Sequence, residues 1–224
     1  MKHHSIAIDG PAGAGKSTMA KRLAQELGYV YVDTGAIYRT VGYHMNLMGI
    51  GPKDVDGITR LIGDVNLDIT YDENGLQHMI LNGADVSDEI RTPEMSMIAS
   101  TISAHKVVRD FLLDTQRDLA RNYDVVMDGR DIGTVVLPDA DLKIYLTAAP
   151  EVRAQRRIAQ YREQGQKVDE KKILAEIIAR DEQDMNRPIA PLRRADDAVL
   201  VDTSYLNVEE TIARLREIAA RKLS

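Results

Sequence analysis

The chain has 224 residues, 44% of them apolar and 29% charged; at about 150 residues per domain this predicts one large domain, or one domain with a sizeable insertion. That balance excludes a disordered chain, no apolar run approaches the ~20 residues of a membrane span, and zero cysteines exclude disulfides, thiolate zinc sites and thiol nucleophiles. The net charge is −6, yet residues 151–194 hold 11 basic against 8 acidic side chains, leaving 18 against 27 elsewhere. An acidic body lacks the continuous basic face that nucleic acid needs; a local basic segment suits a small anion. Met1 to Ser5 run straight into a strand-like segment, so no signal peptide is expected, and a cytoplasmic location is.

Ser5-Ile6-Ala7-Ile8-Asp9 reads as a buried strand. A helix follows, with Met19, Ala20, Leu23, Ala24 and Leu27 on one face and Gly28 as its stop. Residues 29–33 predict a second strand, and a helix through Ile37, Val41, Met45 and Met48 ends at Gly49. This βαβα opening implies a parallel sheet covered by helices. The rhythm then breaks. Residues 65–71 alternate, Asp72-Glu73-Asn74-Gly75 supplies a hairpin turn, residues 76–81 return, and after Asn82-Gly83 a short third piece is expected over 86–90. Residues 62–92 therefore read as an inserted antiparallel meander.

Thr92-Pro93 predicts a helix start, and helical spacing continues to Leu119 with a break near His105. Strands at 123–128 and 142–146, a long helical region over 150–185 and a strand at 198–202 restore the parallel rhythm. Asn207 with Glu210 three residues on predicts a capping box opening the last helix. The sum is an α/β fold: a five-stranded parallel sheet flanked by helices, plus one small antiparallel β insertion.

Gly10-Pro11-Ala12-Gly13-Ala14-Gly15-Lys16-Ser17 matches G-x-x-x-x-G-K-[ST], between a buried strand and an amphipathic helix. The glycines let backbone N–H groups converge on phosphate, and the helix N-terminus adds partial positive charge. Lys16 can reach the β- and γ-phosphates, and the Ser17 hydroxyl can ligate Mg²⁺. This implies ATP or a similar nucleoside triphosphate with Mg²⁺. A guanine-specific switch is disfavoured, because no N/T-K-x-D loop occurs and the D-x-x-G segments at Asp54–Gly57 and Asp72–Gly75 read as turns.

Three further groups suggest an acceptor side. Thr34 and Arg39, after the second strand, are expected to face the crevice beyond the strand ends. Asp128-Gly129-Arg130-Asp131 ends another strand: Asp128 can orient Mg²⁺ or its waters, while Arg130 offers phosphate recognition beside the Asp131 carboxylate. Arg180, Asp184 and Arg187 at i, i+4 and i+7 are expected on one helical face, preceded by Arg153, Arg156, Arg157 and Arg162. A flexible segment around Glu163-Gln164-Gly165-Gln166 would let these arginines close over the site. The five histidines are scattered without ligand spacing and are assigned no metal.

With these pieces the chain resembles the bacterial cytidylate (CMP/dCMP) kinases over essentially its whole length. The resemblance rests on I-D-G-P-A-G-A-G-K-S-T (Ile8–Thr18), D-T-G-A-I-Y-R (Asp33–Arg39), E-I-R-T (Glu89–Thr92), D-G-R-D-I-G-T-V-V (Asp128–Val136) and R-D-x-x-D-x-N-R (Arg180–Arg187), then Ala190-Pro191-Leu192. It implies a P-loop kinase, one domain over 1–224, with a nucleoside-monophosphate (NMP) region at 36–110 containing the meander and an arginine-rich helical lid at 153–187. Residues Gly10 to Thr18 would hold ATP. Arg39, Arg130 and Arg187 would hold the acceptor phosphate, with Thr34 beside them. Ser100, Arg109 and Asp131 would read cytosine, and Arg180 and Asp184 would contact the sugar. Lys16 with Arg153, Arg156 or Arg157 would neutralise the transferring phosphoryl, and Ser17 with Asp128 would serve Mg²⁺. Ser17 stands where some relatives carry glycine and restores the magnesium hydroxyl. The partners implied are ATP, CMP and dCMP, with no nucleic acid, no membrane and a monomeric chain. The alternatives are a P-loop kinase for another nucleotide or a shikimate-like acceptor, and a non-catalytic ATP-binding regulator.

Overall fold

Five parallel strands order themselves β2-β6-β1-β7-β8 in the computed structural model, which describes residues 3–163, 165 and 168–223. The strands are β1 (Ser5–Asp9), β2 (Val30–Asp33), β6 (Val125–Gly129), β7 (Leu142–Thr147) and β8 (Val199–Asp202). β1 is central because it is buried on both faces: Ala7 packs on one side, Ile6 and Ile8 on the other. On the second side lie α1 (Lys16–Leu27) and α8 (Val208–Lys222); on the first lie α2 (Thr34–Leu47), α4 (Pro93–Ile102) and α5 (Lys106–Asn122). Parallel order puts all five carboxyl ends on one rim, with the chain leaving β1 where the connections diverge to left and right. Open α/β sheets bind ligands at that point.

The inserted β3 (Leu67–Tyr71), β4 (Gln77–Leu81) and β5 (Ala84–Asp85) form the expected antiparallel sheet. Its third strand is a correction: it lies at 84–85, and 86–90 is not a strand. Met79 N donates to Ser87 Oγ (2.9 Å), so a side chain replaces the next ladder partner, and Ile90 turns into the core from a 3₁₀ turn. Gln77 fastens this sheet to the main one, its Oε1 accepting from Asp33 N at 2.8 Å.

A short helix α3 (Val55–Leu61) occupies one segment read as a turn, because the Asp54 side chain caps it at Gly57 N (2.9 Å). The region 150–185 is two helices, α6 (Pro150–Glu163) and α7 (Glu170–Asn186), packed through Ile158, Ile173 and Ile177. In the segment expected to flex between them, Gln164 and Gln166 lie outside the described residues, as do Met1 and Lys2 of the signal-peptide reading. No helix is long and apolar enough to cross a membrane among the described residues.

Candidate active site

The loop from β1 to α1 is dictated by its glycines. At Gly10, φ is 151° and an added Cβ would lie 1.9 Å from the Leu146 carbonyl oxygen, so the chain crosses β7 only without a side chain. Gly15 opens α1 at φ 90° with no side-chain cap and no acidic residue in the first turn. The first N–H groups and the positive helix end are thereby left for an external anion. Ala12 to Thr18 line the cleft, and Gly10 and Pro11 lie buried where the loop leaves β1. Pro11 accepts from Lys16 Nζ at 2.9 Å. Burial, then the nearby Arg130 charge, pulls Lys16 well below the ordinary lysine range. A polyphosphate would relieve both effects.

Asp128 ends β6 beside this loop. Ser17 Oγ donates to its Oδ2 and Tyr31 Oη to its Oδ1, each at 2.9 Å, and Thr34 Oγ1 donates to its carbonyl at 2.7 Å. Thr34 thus lines the cleft with its proton held by the strand end. Burial and the neighbouring Asp33 push the Asp128 carboxyl upward, Lys16 opposing. A hydroxyl and a cation-starved carboxylate 2.9 Å apart are the donor set a hard divalent ion takes, so Ser17 and Asp128 fit Mg²⁺. Among the described residues no group of three or more His, Cys, Asp or Glu converges as a metal cage. One or two protein oxygens are the Mg²⁺ pattern.

Beyond Asp128 the chain makes a π-helical turn, Ile132–Val136, which sequence reasoning missed. Asp9 holds its start, accepting from the N–H groups of Ile132 and Gly133 at 2.8 Å each; burial raises its carboxyl to about 7 despite these bonds. This fixes Arg130 and Asp131. Asp131 is clamped between two arginines, Arg109 Nη2 on Oδ2 and Arg187 Nη2 on Oδ1 (3.0 Å). Ser103 supports both, its carbonyl accepting from Arg109 (3.2 Å) and its hydroxyl from Arg187 (3.1 Å). Arg130 Nε donates to Asp184 Oδ2 (2.8 Å), and Ser100 Oγ to Asp184 Oδ1 (3.2 Å). Burial would raise Asp184, but Arg130, Arg180 and Arg187 together outweigh it, so the carboxyl stays below its usual range. Arg39 pairs with Asp33 (3.0 Å). The buried Nε atoms of Arg39 and Arg180 have no acceptor. Arg180 is lowered to about 10 by burial and by the Arg130 charge.

One expectation about an arginine needs correction, and a second arginine is already paired. Arg187 does not continue the α7 face: the helix ends at Asn186 and Arg187 is extended (φ −62°, ψ 140°). Pro188 follows it, and a residue before proline is pushed out of helical conformation. Arg153 is not a free lid cation. It donates to Ala148 O (2.9 Å), Ala12 O (2.9 Å) and both oxygens of Asp181 (3.1 and 2.5 Å), tying α6 and α7 to the phosphate loop. Arg156 holds Thr203 O at 2.6 Å. Arg157 has only the Tyr161 hydroxyl (3.1 Å) and ring among the described residues.

Lys16, Ser17, Thr34, Asp128, Asp131, Asp184 and the arginines above line one cleft of about 1050 Å³. It runs from Arg39, Ser100 and Asp131, past Lys16, to Thr203, Leu206 and Asn207 at the far end of the phosphate loop. Of the residues sequence reasoning missed, Tyr38 lies under Arg109, whose guanidinium carbon is 5.8 Å from the ring centre. It sits inside D-T-G-A-I-Y-R, immediately before Arg39, which was the available signal. Ser103 and Tyr31 had none, because each acts through a partner remote in sequence.

A family model described as cytidylate kinase matches residues 6–221. The cytidylate kinase of Caldicellulosiruptor saccharolyticus is 47% identical over 218 residues, covering 97% of this chain and 96% of its own length. That of Geobacter sulfurreducens is 47% identical over 217 residues, covering 97% and 93%. Among solved structures, an uncharacterized protein from Eubacterium ventriosum matches with a TM-score of 0.52 at 12% identity, over 96% of this chain and 97% of that one, a likeness of fold alone.

Proposed function

The chain belongs to the cytidylate kinase family, and from that premise we propose that it transfers the γ-phosphoryl group of ATP to CMP and dCMP, giving ADP with CDP or dCDP. The observation that carries the reading is the single cleft in which an uncapped phosphate loop faces a wall of arginines around Asp131. An acceptor phosphate oxygen attacks the γ-phosphorus in line, and the β–γ bridging oxygen leaves with ADP. The acceptor is already an anion, so no strong general base is required; positioning and charge neutralisation do the work.

Lys16 leaves the Pro11 carbonyl for the polyphosphate, and Arg157, lacking a carboxylate partner among the described residues, turns in with Arg156 over the transferring group. Mg²⁺, held at Ser17 and Asp128, would supply charge compensation on the β- and γ-oxygens. Arg39, Arg130 and Arg187 receive the acceptor phosphate; the idle Nε of Arg39 supports this. Arg180 and Asp184 take the sugar. Asp131 reads the base: two of its roughly four lone-pair positions serve Arg109 and Arg187, and the rest accept from an exocyclic amine. Cytosine offers that amine, whereas uracil would oppose an oxygen to the carboxylate. The same proposal takes 36–110 as the NMP-binding region, 153–187 as the lid, and the protein as a cytoplasmic monomer in pyrimidine metabolism. Another small acceptor, or a non-catalytic regulator, is not favoured beside relatives of this identity.

A coupled ADP-release assay across CMP, dCMP, UMP, AMP and shikimate tests the reading. CMP and dCMP are expected to lead; CMP turned over no better than AMP refutes it.

A further inference from the structure

Tyr31 sits on β2 with its ring in the core between the sheet, α1 and α8, and it is absent from the cleft lining that includes Ser17 and Asp128. Its hydroxyl nevertheless crosses beneath the strand ends to Asp128 Oδ1, while Ser17 takes Oδ2, both at 2.9 Å. The two oxygens of one carboxylate are thus divided, one tied into the core and one turned toward the cleft. Folding does not demand such a partner for a tyrosine of this chain, since the buried Tyr71 hydroxyl has none among the described residues.

We propose that Tyr31 is a positioning residue for the divalent-cation subsite: by holding Asp128 Oδ1 it presents Oδ2, in register with the Ser17 hydroxyl, to the ion that accompanies the nucleotide. The inference rests on the kinase reading above. A carboxylate without that tether rotates about its terminal bond and offers the ion either oxygen or neither. Outer partners of this kind commonly contribute 10–100-fold in metal affinity. Because Tyr31 lies outside the cleft lining, its influence is confined to the metal-dependent part of binding.

Tyr31→Phe keeps the ring and removes only the hydroxyl. Calorimetry with AMP-PNP, once with excess Mn²⁺ and once with chelator, gives the factor by which the metal strengthens nucleotide binding. The variant is expected to lose about 10-fold or more of that factor, with metal-free affinity within twofold of wild type. An unchanged factor overturns the proposal. So does an equal fall in both conditions, which would make Tyr31 a packing residue only. Wild-type protein that shows no metal enhancement and no CMP-dependent ADP release would instead sink the kinase reading itself.

Discussion

Asp131→Asn places the heaviest load on the charge arrangement described above. The wild-type carboxylate is 5% exposed and lies between Arg109 and Arg187, whose side chains are 7% and 4% exposed. Their other partners are neutral: Ser103 for both, and the Ala190 carbonyl at 2.6 Å for Arg187. Burial already lowers Arg187, with Asp131 as the main opposing influence. Asparagine therefore leaves two buried guanidinium groups beside each other with no hydrogen-bonded anion, Asp184 acting on Arg187 only through space. Breaking one buried pair costs about 3–5 kcal/mol, and since both arginines share a single carboxylate the expected loss is about 4 kcal/mol rather than twice that. For a domain of this size that is a fall of about 8–16 °C in Tm. Calorimetry of the single variant, of Arg109→Met and of the double variant closes the cycle. The double variant should recover at least about 1.5 kcal/mol relative to additivity, because removing one cation relieves the other. The kcat/KM ratio of CMP over UMP should also drop by about tenfold or more, since an amide no longer offers acceptors alone. A single variant within about 1 kcal/mol of wild type would refute the clamp.

Gly10→Ala would drive a methyl group to 1.9 Å from a sheet carbonyl, so ATP affinity should fall at least tenfold by calorimetry with a stability loss of about 1–3 kcal/mol or more; wild-type binding would contradict the described crossing. Lys16, lowered by burial and by Arg130, is partly neutral above its depressed pKa, and an arriving polyphosphate restores its charge. Binding of metal-free ATP at pH 8.5 should thus take up part of a proton, read from calorimetry in two buffers of different ionisation heat, and affinity should weaken as pH rises; no uptake would count against the shift. Arg153→Met and Arg157→Met should separate cleanly. The first loses stability by about 3–5 kcal/mol with the Asp181 pair; the second keeps its Tm and loses at least about 10³ in kcat. The reverse pattern would exchange the roles assigned to the two arginines.

The framework was legible because local chemistry agrees with it. β1, the glycine stop of α1, the Thr92-Pro93 start and the Asn207–Glu210 capping box each declare themselves within a few residues, and each stands where expected. Strand β5 was placed too late, at 86–90 instead of 84–85, because Ser87 and Asp85 satisfy each other by side chain, Ser87 N and Oγ both donating to Asp85 Oδ1. A period-two pattern cannot register such a substitution.

The charged residues were legible as a set and illegible as pairs. Composition places arginines and carboxylates near the site, but Arg109 and Asp131 lie 22 positions apart, and Arg187 and Asp131 lie 56. Which guanidinium remains available to phosphate is decided by those distant pairings, as the contrast between Arg153 and Arg157 on one helix shows. Pro188 was the one local clue left unused. By ending α7 at Asn186 it swings Arg187 away from the Arg180–Asp184 face and onto Asp131 and Ser103. Asp184 consequently answers to Arg130 while Asp131 answers to Arg187. Had the helix run on, Arg187 would have shared the Arg180–Asp184 face, and Asp131 would have kept Arg109 alone of its two arginines.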